Sequence, residues 1–157
     1  MGDILKKRIK QQKFKNTEQE AIINLIVTSN YLHSKLDSIC SGFNITHSQF
    51  NVLRILKGVY PEGHPRGEIK KRMLEPSPDV TRLIDKLVTD GLVERFGSSE
   101  DRRLSMARIT EKGIDLLEKI NPEIDRFLIN YSSPLAEAEK IILSNLCEKL
   151  YAREIKD

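Results

Sequence analysis

The stretch from Ser77 to Gly91, SPDVTRLIDKLVTDG, leaves the backbone few choices. Its apolar residues Val80, Leu83, Ile84, Leu87 and Val88 recur at helical spacing and fall on one stripe, which predicts an amphipathic helix with a single inward face. Ser77 is placed to cap the start, Pro78 falls where proline is tolerated in a first turn, and Asp79 faces the positive end of the helix dipole. Gly91 is the residue expected just past the end. Outside the stripe the helix is polar, presenting Pro78, Asp79, Thr81, Arg82, Asp85, Lys86 and Thr89.

What flanks this helix narrows the fold. Ahead of it lies a short basic segment, GEIKKRM, with Ile69 and Met73 four apart as its inward face. After it, Leu92 to Phe96 and Leu104 to Ile109 are short, partly alternating runs joined by GSSEDRR, the pattern of a two-stranded hairpin. A short helix, a turn, a capped second helix and a hairpin make a winged helix-turn-helix. Further helices are predicted on both sides. Thr17-Glu18-Gln19-Glu20 and Thr46-His47-Ser48-Gln49 are both capping boxes. The first opens a helix over about 17–41 carrying Ile22, Leu25, Ile26, Leu32, Leu36 and Ile39, with Gly42 as its stop; the second turns Phe50, Leu53 and Leu56 inward. Thr110 caps a helix interrupted by Pro122, with a kink or a break and restart at Asn121. Ser133-Pro134 opens a last helix with Leu135, Ala138, Ile142, Leu146 and Leu150 on its apolar face. The fold class is therefore mainly α with a small β-hairpin wing. The 157 residues read as a single domain: a winged core at about 46–110, flanked by helices at about 17–41 and 110–156. Apolar stripes at both chain ends exceed what a small winged core can cover, which points to dimerisation.

Several function classes fall away. Hydrophobic residues are 39% and charged residues 31%, a globular composition, and no apolar run is long enough to span a bilayer. The first residues, MGDILKKRIKQQKFK, lack the apolar core of a secretory signal, so a cytoplasmic location is expected, with residues 6–15 a frayed tail or solvated helix end. Cys40 and Cys147 have no metal spacing around them and read as small residues in a reducing compartment, with a redox switch at Cys40 as the alternative, although nothing nearby in sequence lowers its pKa. No phosphate loop, nucleophile elbow or metalloprotease pair is present, so no enzyme and no cofactor are expected. His33, His47 and His64 are not at ligand spacing and suggest no metal site, although ligands distant in sequence can converge in space.

The charge pattern agrees with a nucleic-acid partner. Residues 1–20 carry six Lys/Arg against three acids and residues 66–112 carry eleven against nine, whereas residues 113–157 carry six against nine. The last third is thus unsuited to a polyanion. On the capped helix, Arg82 suits a guanine edge, Thr81 a phosphate or a thymine methyl, and Lys86 the backbone. Asp79 either accepts from a cytosine amine or holds the helix start. At the hairpin tip, Arg102 and Arg103 beside Asp101 suit a narrow, electronegative minor groove. Asp101 can orient one guanidinium through a charge-assisted bond.

The run EIKKRMLEPSPDVTRLIDKLVTDGLVERFGSSEDRRLSMARITEKG closely resembles the winged core of the MarR (multiple antibiotic resistance regulator) family. VTRLIDKL, DGLVER, EDRR and ITEKG stand in the family's order and spacing, NITHSQFNVLRIL is similar to the preceding helix, and the likeness extends from about residue 20 to the end. It implies a homodimeric DNA-binding transcriptional regulator, a ligand- or stress-responsive repressor on a palindromic operator. The first and last two helices would form the dimer. Ser77, Pro78, Asp79, Thr81, Arg82 and Lys86 would lie on the reading helix. Asp101 and Arg103 would form the wing's acid–arginine pair, leaving Arg102 to the backbone. It also implies a small aromatic or phenolic effector, with Tyr31, Phe43 and Phe50 as either pocket lining or core. Gly97-Ser98 replaces a frequent Asp-Pro, and Pro78-Asp79 heads the helix where Ser/Thr is common, so operator sequence does not carry over. The alternative is a winged-helix protein-interaction module without DNA binding.

Overall fold

The computed structural model describes residues 2–75, 78–97 and 105–152. The elements run α1 (Asp3–Ile9), α2 (Thr17–Ser41), α3 (His47–Lys57), β1 (His64–Pro65), α4 (Arg66–Arg72), α5 (Val80–Thr89), β2 (Val93–Gly97), β3 (Ser105–Ile109), α6 (Glu111–Ser132) and α7 (Glu137–Tyr151). They fall into two compact units, Met1–Leu117 and Glu118–Asp157. Helix α6 starts in the first and continues in the second.

In the first unit, α3, α4 and α5 cover one antiparallel sheet of order β1-β3-β2. Its core is built from Phe50, Val52, Leu53 and Leu56 of α3, Ile69 of α4, Val80, Ile84 and Leu87 of α5, and Val93, Ala107 and Ile109 of the sheet. Each large aliphatic side chain removed from water contributes about 1.5–3 kcal/mol. The register pairs Val93 with Ile109 and Arg95 with Ala107, as an antiparallel hairpin requires. Strand β1, which pairs His64 with Ala107, has only two residues and too little alternation to be seen in the sequence.

Local chemistry sets the helix ends. Thr46 and Gln49 form the expected capping box, with bonds of 3.1 Å and 2.8 Å. The cap of α2 lies one residue earlier than expected: the Asn16 side chain accepts from the Gln19 N–H, and Thr17 is the first helical residue. Asparagine holds an acceptor at the same reach as threonine, so the neighbouring residue takes the role. Thr110 caps α6 as expected, accepting from the Gly113 N–H at 3.1 Å. Its hydroxyl also donates to the Gly91 carbonyl at 2.8 Å, so one side chain ties the exit of α5 to the entry of α6.

Two open alternatives are decided and two readings of the last helix are corrected. Of the two readings of residues 6–15, the helix end holds for residues 6–9, which close α1 (Asp3–Ile9), a helix anchored by the buried Leu5. Of a kink or a break at Asn121, the break is ruled out: α6 runs from Glu111 to Ser132 with Pro122 inside. A single proline removes one backbone donor, a loss that the surrounding turns of a long helix can outweigh. Helix α7 begins at Glu137 rather than at Ser133-Pro134, where the Glu139 carboxylate accepts from the Ala136 N–H at 2.8 Å. Its apolar residues do not turn inward within the chain: no residue of α7 is buried. In the second unit Ile120 and Phe127 are buried, and the Phe127 ring lies 4.8 Å from that of Tyr131. Ile22, Leu25 and Ile26 of α2 are exposed as well.

Candidate nucleic-acid interface

Helix α5 carries the stripe that the sequence predicts, with Val80, Ile84 and Leu87 buried and Leu83 and Val88 half-buried. Its start differs. The N-cap is Asp79, whose carboxylate accepts from the Arg82 N–H at 2.9 Å. Pro78 therefore stands before the helix, exposed in a turn, rather than in its first turn, and Ser77 lies outside the described residues. Of the two roles open to Asp79, it performs the second, holding the helix start. The far end is a paired C-terminal motif: Gly91 at φ 71 lets its own N–H reach the Val88 carbonyl and the Leu92 N–H reach Leu87, both at 2.9 Å. This turns the chain directly into β2.

The polar face of α5 is held by its neighbours. Arg66, at the start of α4, donates to the Thr81 hydroxyl at 2.9 Å. Arg95 of β2 meets the Asp85 carboxylate at 2.7 Å, linking wing to helix, and lies 3.5 Å from the Ser105 hydroxyl on β3. Lys86 pairs with Asp90 at 2.8 Å. Arg82 is exposed and makes no ion pair with any described residue. Exposed pairs of this kind contribute little stability, about 0–1 kcal/mol each, but they restrict where the side chains point. Pro65, Arg66, Gly67, Thr81, Arg95 and Ser105 line a cleft of about 310 Å³ between the two helices and the wing. Farther along the wing, Arg108 bridges to Glu94 at 2.7 Å and stacks 4.8 Å over the Phe96 ring. The tip residues Asp101, Arg102 and Arg103 lie outside the described residues.

Arg66 and Arg95 carry no signal in the sequence that would single them out. Their partners are 15 and 10 residues away, and no local pattern links them. The aromatic residues expected at a pocket separate. Phe50 is core, Phe43 is half-buried, and Tyr31 lines a cleft of about 600 Å³ between α1 and α2, with the Arg8 guanidinium 4.9 Å from its ring centroid.

Residues 45–105, the segment spanning α3 through the start of β3, match the MarR family. A MarR transcription factor of known structure from Planctomyces limnophilus is 33% identical, with the likeness covering 87% of this chain and 98% of that one at a TM-score of 0.67. The chain belongs to the MarR family. It is likewise similar to the HTH-type transcriptional regulator MhqR of Bacillus subtilis, 28% identical over 85% of this chain and 92% of the relative. The structure of the S. aureus MepR–DNA complex shares the fold at a TM-score of 0.74, with 24% identity, 89% of this chain and 99% of that one. As a MarR-family protein the chain is a winged-helix DNA-binding transcriptional regulator rather than an enzyme. No described helix is long and apolar enough to cross a membrane.

Within this MarR-family fold Cys40 is an inert thiol. It is fully buried at the end of α2, and burial, reinforced by the nearby Asp37 carboxylate, raises its pKa to about 11. Since the thiolate is the reactive form, about one molecule in a thousand carries it at pH 8. Alkylation of the native protein at that pH is expected to leave Cys40 unmodified while denatured protein reacts at both cysteines. Modification of native Cys40 at the denatured rate would contradict this. The same shift makes the protonated thiol a stabilising state below about pH 9, a contribution lost as pH rises through 11.

Proposed function

We propose that the protein is a cytoplasmic homodimeric repressor that reads a palindromic operator, each subunit placing α5 in a major groove and its wing in the adjacent minor groove. The observation that carries this reading is the two-sidedness of α5. Its stripe is buried, while Thr81 and Arg82 are presented in the N-terminal half, the part that enters the groove. Pro78 precedes the helix and Asp79 shapes its start; together with Ser77 they are proposed for the operator, and Lys86 lies farther along for the phosphate backbone. At the tip, Arg103 enters the minor groove, Asp101 orients it and Arg102 meets phosphate. Arg66 and Arg95 support the arrangement by holding Thr81 and Asp85. The flanking α2, α6 and α7 form the dimer. A small aromatic or phenolic effector is proposed for the α1–α2 cleft, where the Tyr31 ring and Arg8 offer an apolar face and a cation.

The test is a mobility shift on palindromic duplexes across a salt series, because affinity carried by phosphate contacts falls steeply as counterions compete. Arg82→Ala is expected to weaken specific binding about 10–100-fold, the range for one lost base contact, and to relax specificity at one position per half-site. Arg103→Ala should weaken binding while leaving the dimer intact. Wild-type protein without salt-dependent affinity for any duplex would instead support the protein-interaction alternative.

A further inference from the structure

The three elements around the reading unit bring together residues that the sequence keeps far apart. His33 lies on α2, His47 opens α3, and Glu75 sits on the connector just ahead of α5. One donor atom from each falls within 4.8 Å of the other two. The Glu75 Oε1 atom is in direct contact with His33 Nε2 and lies 3.2 Å from His47 Nδ1. His47 is buried, and its Nδ1 atom makes no hydrogen bond among the described residues. A buried imidazole nitrogen that makes no well-directed hydrogen bond is costly, and this one lies beside a carboxylate that also touches a second imidazole.

We propose that His33, His47 and Glu75 form a binding site for a divalent first-row metal ion, with Zn²⁺ the best match. Two imidazoles and one carboxylate are a common three-ligand set for zinc, leaving a position for water. Ligands about 2.0–2.2 Å from a tetrahedral centre stand roughly 3.3 Å apart, close to the 3.2 Å between His47 and Glu75. The close contact between His33 and Glu75 opens as the ion enters between them. Asp37 completes the arrangement from outside: its Oδ2 lies 3.7 Å from His33 Nδ1, and its Oδ1 accepts from the His47 backbone N–H at 3.4 Å. On metal binding the His33 ring proton resides on Nδ1, facing Asp37, and Nε2 donates its lone pair to the ion. Such carboxylate–imidazole–metal relays fix ring orientation and strengthen the ligand.

The connector is already fastened to α3, where the buried Asn51 side chain accepts from the Leu74 N–H at 2.9 Å. A metal bound by Glu75 adds a second fastening, to α2, within five residues of the first turn of α5. Metal occupancy therefore biases how the reading helix is presented. This consequence rests on the DNA-reading function proposed above; the site itself does not.

Titrating the full chain with Co²⁺ after removal of metal is expected to give visible d–d absorption saturating at one ion per chain. Excess Zn²⁺ should raise Tm by roughly 5–10 °C when present at about a hundred times its Kd. Both signals should be lost in His33→Ala and in Glu75→Gln, the latter a near-isosteric change that keeps the fold. They should persist in Cys40→Ser and Cys147→Ser. Absence of both in the wild type, or their retention in both ligand variants, overturns the site and leaves a histidine–carboxylate ion pair. In parallel, Zn²⁺ should change the operator affinity of the wild type and not that of His33→Ala. Metal binding with unchanged operator affinity overturns the coupling, whereas a wild type that binds no DNA at all fails the functional reading and leaves the Co²⁺ result to decide the site.

Discussion

Replacing Ile142 and Leu146 together by glutamate is expected to convert the proposed dimer to a monomer and to lower its affinity for a palindromic operator by about 10²–10⁴-fold, the gain that two linked binding units share. The two residues are four apart on α7, so they lie on one face, and they are 56% and 52% exposed in the chain by itself. Leu143, Leu150 and Tyr151 on the same helix and Leu128 and Ile129 on α6 are also exposed. An exposed apolar surface of this extent supports the association face proposed above. Burying two carboxylates there without partners costs far more than the contacts they replace. Sedimentation would read the oligomeric state and a mobility shift the affinity. A double variant that remains dimeric would move the association face elsewhere, with the exposed apolar residues of α2 the next candidates. Binding to a single half-site should be retained, since α5 and the wing are untouched.

A second large effect is expected at Gly63. Its φ of 142° is one that side chains rarely adopt, and a Cβ there would stand 2.5 Å from the Ala107 carbonyl oxygen. The obstacle is backbone in the central strand of the sheet, so it cannot rotate away. Strain at a restricted φ and forced displacement each cost about 1–3 kcal/mol, so Gly63→Ala should destabilise the protein by about 2–5 kcal/mol. Urea denaturation would show this as a lower midpoint at unchanged m-value. Gly67→Ala is the control. It lies in α4, where an added methyl group would meet nothing within 4 Å, so alanine should be neutral or stabilise by up to about 1 kcal/mol. Equal effects at the two glycines would contradict the close approach of Gly63 to β3. The consequence reaches function because β1 leads straight into α4 and Arg66, the residue that holds Thr81.

How far the residues announce this arrangement depends on the range of the interaction involved. The stripe of α5, the Thr46–Gln49 capping box, the turn at Gly91 and the Thr110 cap are all legible, because each is decided within about four residues by helical period or by a side chain reaching its own backbone. The family likeness is legible for the same reason, since its motifs are short and ordered along the chain. Errors arise where two nearby residues could each cap the same helix, as with Asn16 for Thr17 and Asp79 for Ser77, since side chains of similar reach can each close the first turn on their own backbone donor.

Contacts made across the fold are decided only by the tertiary structure. Arg66 meets Thr81 and Arg95 meets Asp85 because α4, α5 and the wing converge, a fact that no local pattern encodes. The apolar face of α7 can be read as apolar from its spacing, but that it stays exposed is a matter of packing, which spacing does not report. The histidines make the contrast sharpest. In sequence His33 and His47 stand apart, each without a ligand motif. Folding brings both to Glu75, because α2, the start of α3 and the connector before α5 meet at one point. Sequence alone determined most of the helices, their ends to within a few residues, and the winged order, since these follow from short-range backbone chemistry. Which distant side chains share a site, and which apolar faces remain open, followed only from packing.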